Sequence, residues 1–244
     1  MNNIKYDNWL SDQIGYDAYS VNINSELIEL TGDSSTPEHL WFHEIKTKKC
    51  FAFTKIDPFH ISQIQFVEKH GFNLIDTNLL FKKENLTNTT TALKYNDYTL
   101  CYADPTDAVS TALVAENNFV FSRFHLDPFF NNTLANKIKA GWVTNYFNGT
   151  RGDKMIIAKK NKTIAGFLQL FINPDHLIID LIAVDKEHRK TGLAKQMIEF
   201  ATASAKKCKY IIVGTQLANL PSINLYQKLG FKLISGKYVF HYHN

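Results

Sequence analysis

The stretch LIIDLIAVDKEHRKTGLAKQMIEFATASA, Leu177 to Ala205, decides how the rest of the chain is read. Its opening run, LIIDLIAV, is apolar, rich in β-branched residues and too short to span a membrane, which predicts a buried central strand. A polar turn, DKEHRKTG, follows, and from Leu193 the apolar residues Leu193, Met197, Ile198, Phe200 and Ala201 recur near helical spacing. The chain thus passes from strand through a basic, glycine-containing turn into an amphipathic helix. Such a turn aims the free amides of the first helical turn, and the positive end of the helix dipole, at whatever occupies it. Gly192 allows close approach to the main chain, while Arg189, Lys190 and Lys195 add full charge, so a phosphate or pyrophosphate is the expected occupant. Neither a Walker GxxxxGK(S/T) loop nor a GxGxxG fingerprint is present.

Arg189 to Ala194 read R-x-x-G-x-A directly after a strand ending in Ala183-Val184. This resembles the pyrophosphate loop of the GCN5-related N-acetyltransferase (GNAT) family. The segment TQLANLPSINLYQKLGF, Thr215 to Phe231, is similar to the family's other signature, with Asn219, Tyr226 and Gly230-Phe231 in register. The resemblance implies an α+β fold of the α/β/α GNAT type, a mixed, mostly antiparallel twisted sheet splayed between its fourth and fifth strands. It implies acetyl-CoA as co-substrate and no metal. Main-chain groups of Ile182, Ala183 and Val184 would pair with the pantetheine arm, and Arg189, Lys190, Thr191, Gly192, Leu193 and Ala194 would hold the pyrophosphate. Asn219 matches the residue that contacts the arm, and Tyr226 the tyrosine beside the sulfur, although a helix cap and a core aromatic are the plain alternatives.

Chemistry favours a tyrosine there. A neutral amine attacks the thioester carbonyl and CoA leaves as a thiolate that needs a proton or a strong hydrogen bond. Proton transfer from a phenol to such a thiolate is uphill by roughly 2 kcal/mol, so hydrogen bonding is the safer role. The acceptor ammonium must also lose a proton. Asp180, on an apolar strand and, by alternation, on the face of Ile182 and Val184, is a candidate base through water, with a structural carboxylate as the alternative; His125 is a second candidate.

The full chain has 244 residues, 45% of them hydrophobic, enough for one large domain or two small ones. No cationic leader followed by an apolar run opens it, and no apolar run approaches the roughly 18 residues of a membrane span, so a soluble cytoplasmic protein is expected. Cys50, Cys101 and Cys208 are too few and too scattered for a disulfide framework or zinc site. His39 with His43, and His241 with His243, share faces but lack a third ligand in pattern, which argues against a metal. A net charge of +4 suits an anionic ligand without demanding nucleic acid, and no basic stripe carries interleaved aromatics. The tripeptide Arg151-Gly152-Asp153 and the N-x-T sequons at Asn85 and Asn148 carry no weight in an Asn-rich chain without a secretion signal.

An internal echo organises the remainder. FVEKHGFNLIDTNLLFKK (Phe66 to Lys83) aligns without gaps on LYQKLGFKLISGKYVFHY (Leu225 to Tyr242), sharing Lys, Gly, Phe, Leu, Ile and a later Phe. Each copy reads as helix end, Gly cap, strand, tight turn and second strand. Residues 1–90 are therefore expected to form a smaller, degenerate α/β half-domain, with a helix starting at Asp57-Pro58. The polar run Asn85 to Asp97 is expected to be a linker, and 98–244 an acetyltransferase domain with the order β-α-α-β-β-β-α-β-α-β-β.

A half-fold before a full domain, together with FVFSRFHLDPFF and Thr215 to Tyr226, resembles the dTDP-fucosamine (dTDP-4-amino-4,6-dideoxygalactose) N-acetyltransferase branch, from which the chain departs by its longer DKEHRKTG turn. That resemblance implies a small-molecule nucleotide-sugar acceptor, with Arg123, Phe124 and His125 as the substrate-binding group: Arg123 could pair with a diphosphate and Phe124 could stack on a ring, or both could be loop-packing residues. Acetylation of another amine (a protein N-terminus, polyamine or antibiotic) and a non-catalytic acyl-CoA sensor stay open. So does oligomeric state, a homodimer included.

Overall fold

The computed structural model describes residues 3–85, 97–205 and 207–244. In chain order the first stretch folds as β1 (Ile4–Tyr6), α1 (Asn8–Ile14), β2 (Asp17–Val21), α2 (Ser25–Thr31), α3 (Pro37–Glu44), β3 (Cys50–Ile56), α4 (Ile61–Lys69) and β4 (Asn73–Glu84). The second adds β5 (Thr99–Tyr102), α5 (Ala108–Asn118), α6 (Arg123–Leu126), α7 (Asn132–Phe147), β6 (Lys154–Lys160), β7 (Thr163–Ile172), β8 (His176–Val184), α8 (Leu193–Ser204), β9 (Tyr210–Gln216), α9 (Leu220–Lys228) and β10 (Lys232–His243). The expected linker lies almost wholly outside the described residues.

The ten strands of the described residues form one mixed, mostly antiparallel sheet, ordered β1-β2-β3-β10-β4-β9-β8-β7-β6-β5. Local chemistry sets many element boundaries. Asn161 and Lys162 adopt φ of 49° and 69°, the doubly left-handed turn that matches strand twist in the β6–β7 hairpin. Asp104 and Asp107 form a reciprocal capping box ahead of α5. One expectation needs correction, and one stretch left unassigned from the sequence takes form. Asp57-Pro58 does not begin α4: the Asp57 carboxylate accepts from the Phe59 amide in a turn, and the helix starts at Ile61. The polar stretch after β2 is also helical, as α2 and α3, because Asn24 and Thr36 cap helices whose buried faces carry Leu27, Trp41 and Phe42.

The echo is structural, but each copy ends in one continuous strand rather than strand, turn, strand. Helices α4 and α9, the left-handed glycines Gly71 and Gly230, and strands β4 and β10 occupy matching positions of the alignment. The two strands lie antiparallel beside each other, and the matched residues Asn78 and Lys237 face one another, as a local twofold requires. In place of each expected tight turn is a β-bulge. Leu233↔Phe81 gives way to Ser235↔Leu80, and Val239↔Asp76 to Phe240↔Leu74, so the skipped residues are the matched isoleucines Ile234 and Ile75. Strand β4 reaches across to β9 and β10 to β3, so the two stretches of chain interleave within one sheet.

The resemblance continues upstream. β2 runs parallel to β3 from Asp17↔Cys50 to Ser20↔Phe53, and β8 runs parallel to β9 from His176↔Tyr210 to Ile179↔Val213. One core packs α8, α9 and the sheet through Leu193, Met197, Ile211 and Phe231. Its counterpart packs the first-half helices through Leu27, Trp41, Val67 and Phe72. On the opposite face α5 and α7 cover Phe167, Leu181 and Ala183.

Candidate active site

Pairing of β8 with β9 stops at Ile179↔Val213, although β8 runs on to Val184 and β9 to Gln216. On its other edge β8 stays paired with β7 as far as Val184. The backbone edge of β8 beyond Ile179 therefore faces a gap, which is the splay expected between the fourth and fifth strands of the second stretch. The gap begins at a bulge. Gln169 pairs with Leu181 and Leu170 with Ile179, leaving Asp180 as the extra residue. That bulge resets the alternation and corrects the expectation that Asp180 shares a face with Ile182 and Val184. The latter two pack toward the α8 core, whereas the Asp180 carboxylate meets Gln169 and Arg151 on the side of α7.

A cavity of about 460 Å³ passes through this gap and is lined from both faces of the sheet. On the α8 side it is bounded by Arg189, Lys190, Ala194, Asn219, Leu225 and Tyr226; on the α7 side by Phe119, Ser122, Lys139 and Asp180; between them lie Ile182, Ala183, Val184 and Gly214.

The loop into α8 is built to leave amides free. Lys190 and Gly192 both have positive φ, 62° and 81°. Gly192 occupies the N-cap position with no side-chain cap, and a Cβ built on it meets nothing nearer than Gln196 Nε2 at 3.9 Å. Glycine is required here by its backbone angle, not by crowding. The uncapped first turn of a twelve-residue helix, next to Lys190, is a ready anion site. Arg189 does different work: it donates to the Val184 carbonyl and to Asn118 Oδ1 (2.9 Å), tying the loop to the end of α5. Thr191 closes the turn through its hydroxyl on the His188 carbonyl. Asn219 both caps α9, accepting from the Ser222 amide, and lines the cavity.

Tyr226 is 2% exposed and reaches the same cavity. Burial raises its pKa well above the ordinary phenol value, against a smaller opposing effect of its hydrogen bond with Ser222. The hydroxyl is thus a protonated donor and a weaker acid than free tyrosine.

Of the groups expected to take a proton or bind an acceptor, Asp180 alone lines the cavity, and all are packed or hydrogen-bonded among other side chains. The Asp180 carboxylate is held by Arg151 in a bidentate pair (2.8 Å from both Nε and Nη2) and by Gln169 at 3.1 Å. Arg151, part of the discounted Arg-Gly-Asp tripeptide, stacks over Trp142 at 4.5 Å. Gly152 makes the approach feasible, since a Cβ there would meet Gln169 at 3.1 Å. Phe124 is fully buried in the core beneath α1, α6 and α7. Both ring nitrogens of His125 are engaged, by Ser122 Oγ at 2.6 Å and Asn136 Oδ1 at 2.8 Å, and burial lowers its pKa. Arg123 is half-buried, 3.7 Å over the ring of Phe53, and donates to His241 Nε2. None of these three lines the cavity.

His241 and His243 acquire the third partner their spacing did not show. Asp127 Oδ2 lies 2.6 Å from His241 Nδ1 and 2.7 Å from His243 Nε2. Three metal-ligating groups thus cluster, but zinc ligands on bonds of about 2.0–2.1 Å stand roughly 3.3 Å apart, so these are hydrogen-bond lengths. Burial alone would raise the Asp127 pKa; the two imidazole hydrogen bonds outweigh it and hold the carboxyl ionised. Burial pushes His241 down to about 4 against the Asp127 bond, so it is neutral, donating to Asp127 through Nδ1 and accepting from Arg123 through Nε2.

Sequence reasoning missed Lys139. It lies in α7, is 6% exposed and lines the cavity, with its ammonium 3.9 Å from the ring centre of Trp142 and 4.9 Å from that of Phe119. Its place in the sequence of α7 gives no hint that this lysine lines a cavity.

Residues 121–231, just under half of the chain, match the model of the Acetyltransferase (GNAT) family. The chain is 31% identical over 140 residues to spore coat polysaccharide biosynthesis protein SpsD of Bacillus subtilis (strain 168), a match covering 57% of this chain and 48% of SpsD. It therefore spans about half the length of that curated relative. Among solved structures, a functionally unknown conserved protein from Staphylococcus epidermidis superposes with a TM-score of 0.66 at 13% identity, over 93% of this chain and 85% of that one. A GCN5-related N-acetyltransferase from Sphaerobacter thermophilus gives 0.62 at 12% (93% and 72%). A tandem GNAT protein from the clavulanic acid biosynthesis pathway gives 0.61 at 13% (93% and 75%). At these identities the structural matches speak to the fold. Among the described residues no helix is long and apolar enough to cross a membrane.

Proposed function

We propose that the protein transfers an acetyl group from acetyl-CoA to the 4-amino group of a nucleotide-linked amino-deoxysugar, dTDP-linked by resemblance, for surface-polysaccharide synthesis. The observation that carries this reading is the cavity that threads the splayed strands, with free helical amides at one end and a buried phenol within. Acetyl-CoA enters from the α8 side. Its diphosphate sits on the amides of Thr191 to Ala194 beside Lys190, and its pantetheine arm pairs with the free edge of β8 at Ile182 to Val184. Arg189 fixes the loop, and Asn219 holds the arm while capping α9.

The acceptor approaches from the α7 side, where Ser122, Lys139 and Asp180 line the opening and Arg123 and Lys55 stand behind them. An anionic acceptor suits that excess of cations, and SpsD is named for polysaccharide biosynthesis. Arg123, held by the Asp127–His241 chain, is suited to pair with a diphosphate from beyond the cavity rim. Phe124 and His125 support it from the core. The amine attacks the thioester carbonyl, the C–S bond breaks, and Tyr226 donates a hydrogen bond to the departing sulfur. Asp180 organises Arg151 and Gln169 around the reacting end.

Incubation with acetyl-CoA and a panel of nucleotide-linked 4-amino- and 3-amino-deoxysugars, read by product mass, tests the assignment. A product heavier by one acetyl group with a 4-amino sugar is the expected result. Acetylation of polyamines or peptide N-termini instead would replace the acceptor while keeping the chemistry.

A further inference from the structure

A primary amine presented as ammonium cannot attack a carbonyl until a proton is removed. The carboxylate nearest the reacting end, Asp180, has both oxygens committed to Arg151 and Gln169, and His125 has both nitrogens committed to Ser122 and Asn136. Among the described residues on the acceptor side of the cavity, one basic group is not so committed. The Lys139 nitrogen makes no hydrogen bond or ion pair with any described residue, sits against two aromatic faces, and lines the cavity on its acceptor side.

We infer that Lys139, in its neutral form, is the general base that removes a proton from the acceptor ammonium. The inference rests on the acetyl-transfer reading above. The step balances as follows: the ammonium gives one proton to Lys139 Nζ, and the free amine forms a C–N bond to the thioester carbon. The C–S bond then breaks, the second amine proton passes to the sulfur to give CoA thiol, and Lys139 returns its proton to water. Burial in the first place favours the neutral amine. Asp180 opposes this, while Arg151 beside β6, Arg123 of α6 and Lys55 of β3 reinforce it; the sum pushes the Lys139 pKa down to about 7. His125 of α6 also faces it, and its own pKa is lowered in part by Lys139. Such a lysine is half neutral near pH 7, where a free one is almost wholly charged.

The test is the pH profile of kcat/KM for the whole chain and for Lys139→Gln and Lys139→Arg, with acetyl-CoA affinity measured by calorimetry as the check on folding. In the wild type the acid limb should turn near pH 7. Lys139→Gln should lower kcat at pH 7 by on the order of 10² and move that limb to the acceptor amine's own pKa, with acetyl-CoA affinity within a few-fold. Lys139→Arg keeps a charge but cannot act as a base, and should be equally slow. An unmoved limb in Lys139→Gln, or near-normal turnover in Lys139→Arg, would overturn the inference and leave an electrostatic anchor in its place. Failure of the amino-sugar reading looks different: the wild type itself would not acetylate the sugar, and the same profiles taken with whichever amine it does acetylate would still decide the role of Lys139.

Discussion

The run β2, α2, α3, β3, α4, β4 and the run β8, α8, β9, α9, β10 are two versions of one design, yet only the second opens onto the cavity. Both hold a short parallel pair of strands, and the pairs begin at matching places. In the first, β2 ends at Val21, one residue past its last pairing; in the second, β8 continues past Ile179 to Val184 and leaves a free edge. The helix that follows β2 is closed by Asn24, whose side chain accepts from the Leu27 amide, whereas the helix that follows β8 begins on an uncapped glycine. Where the second run has the cavity-lining Tyr226, the first has Val67, fully buried in its core. A satisfied helix end stabilises the fold and binds nothing; an unsatisfied one next to a free strand edge is a site for a ligand.

The largest expected effect breaks the second version. Gly192→Val forces a β-branched residue into φ near +81° and covers the free amides. Losing two charge-assisted hydrogen bonds, about 4 kcal/mol together, should weaken acetyl-CoA binding on the order of 10³-fold by calorimetry. Retained affinity would mean that the diphosphate lies elsewhere.

Next is the tyrosine. Tyr226→Phe should cut turnover by on the order of 10² with acetyl-CoA affinity within a few-fold. Its counterpart change, Val67→Ala, should cost about 2 kcal/mol of stability in denaturant titration and leave turnover per folded molecule unchanged. Equal effects on turnover at both positions would mean that Tyr226 acts only through packing.

Smaller again is the cap. Asn24→Ala should lower stability by about 1 kcal/mol without touching acetyl-CoA affinity. A pH series sharpens the contrast through Lys139→Met. Because folding lowers the Lys139 pKa toward about 7, the folded state binds fewer protons than the unfolded one between that pH and the ordinary lysine value. Wild-type stability therefore gains with rising pH across that window. The stability advantage of Lys139→Met over the wild type should be greatest below pH 7 and shrink as pH rises to about 10.

Much of the second version could be read from residues, because its signals are local. The run Leu177 to Val184 names its strand by composition, Gly192 its loop, and the register of Asn219, Tyr226 and Gly230 is set by helix spacing. What escaped the sequence depends on contacts distant along the chain. A bulge that turns the Asp180 side chain toward Arg151 follows from the pairing of β7 with β8, which no local pattern encodes. Asp127 meets His241 across 114 positions, and Lys139 is an ordinary helical lysine until α7 is laid over the gap. Helices α2 and α3 were hidden because their caps, Asn24 and Thr36, read equally well as loop residues. The same locality explains the strands: the echo showed that β4 and β10 are related, but a bulge and a tight turn leave similar marks in sequence.

Amide hydrogen exchange with and without acetyl-CoA addresses the difference between the two runs most directly. Protection on adding the co-substrate is expected at Thr191 to Lys195 and along Asp180 to Val184, with exchange at Asn22 to Leu27 unchanged. Protection at the β2–α2 junction, or none at the start of α8, would contradict the account.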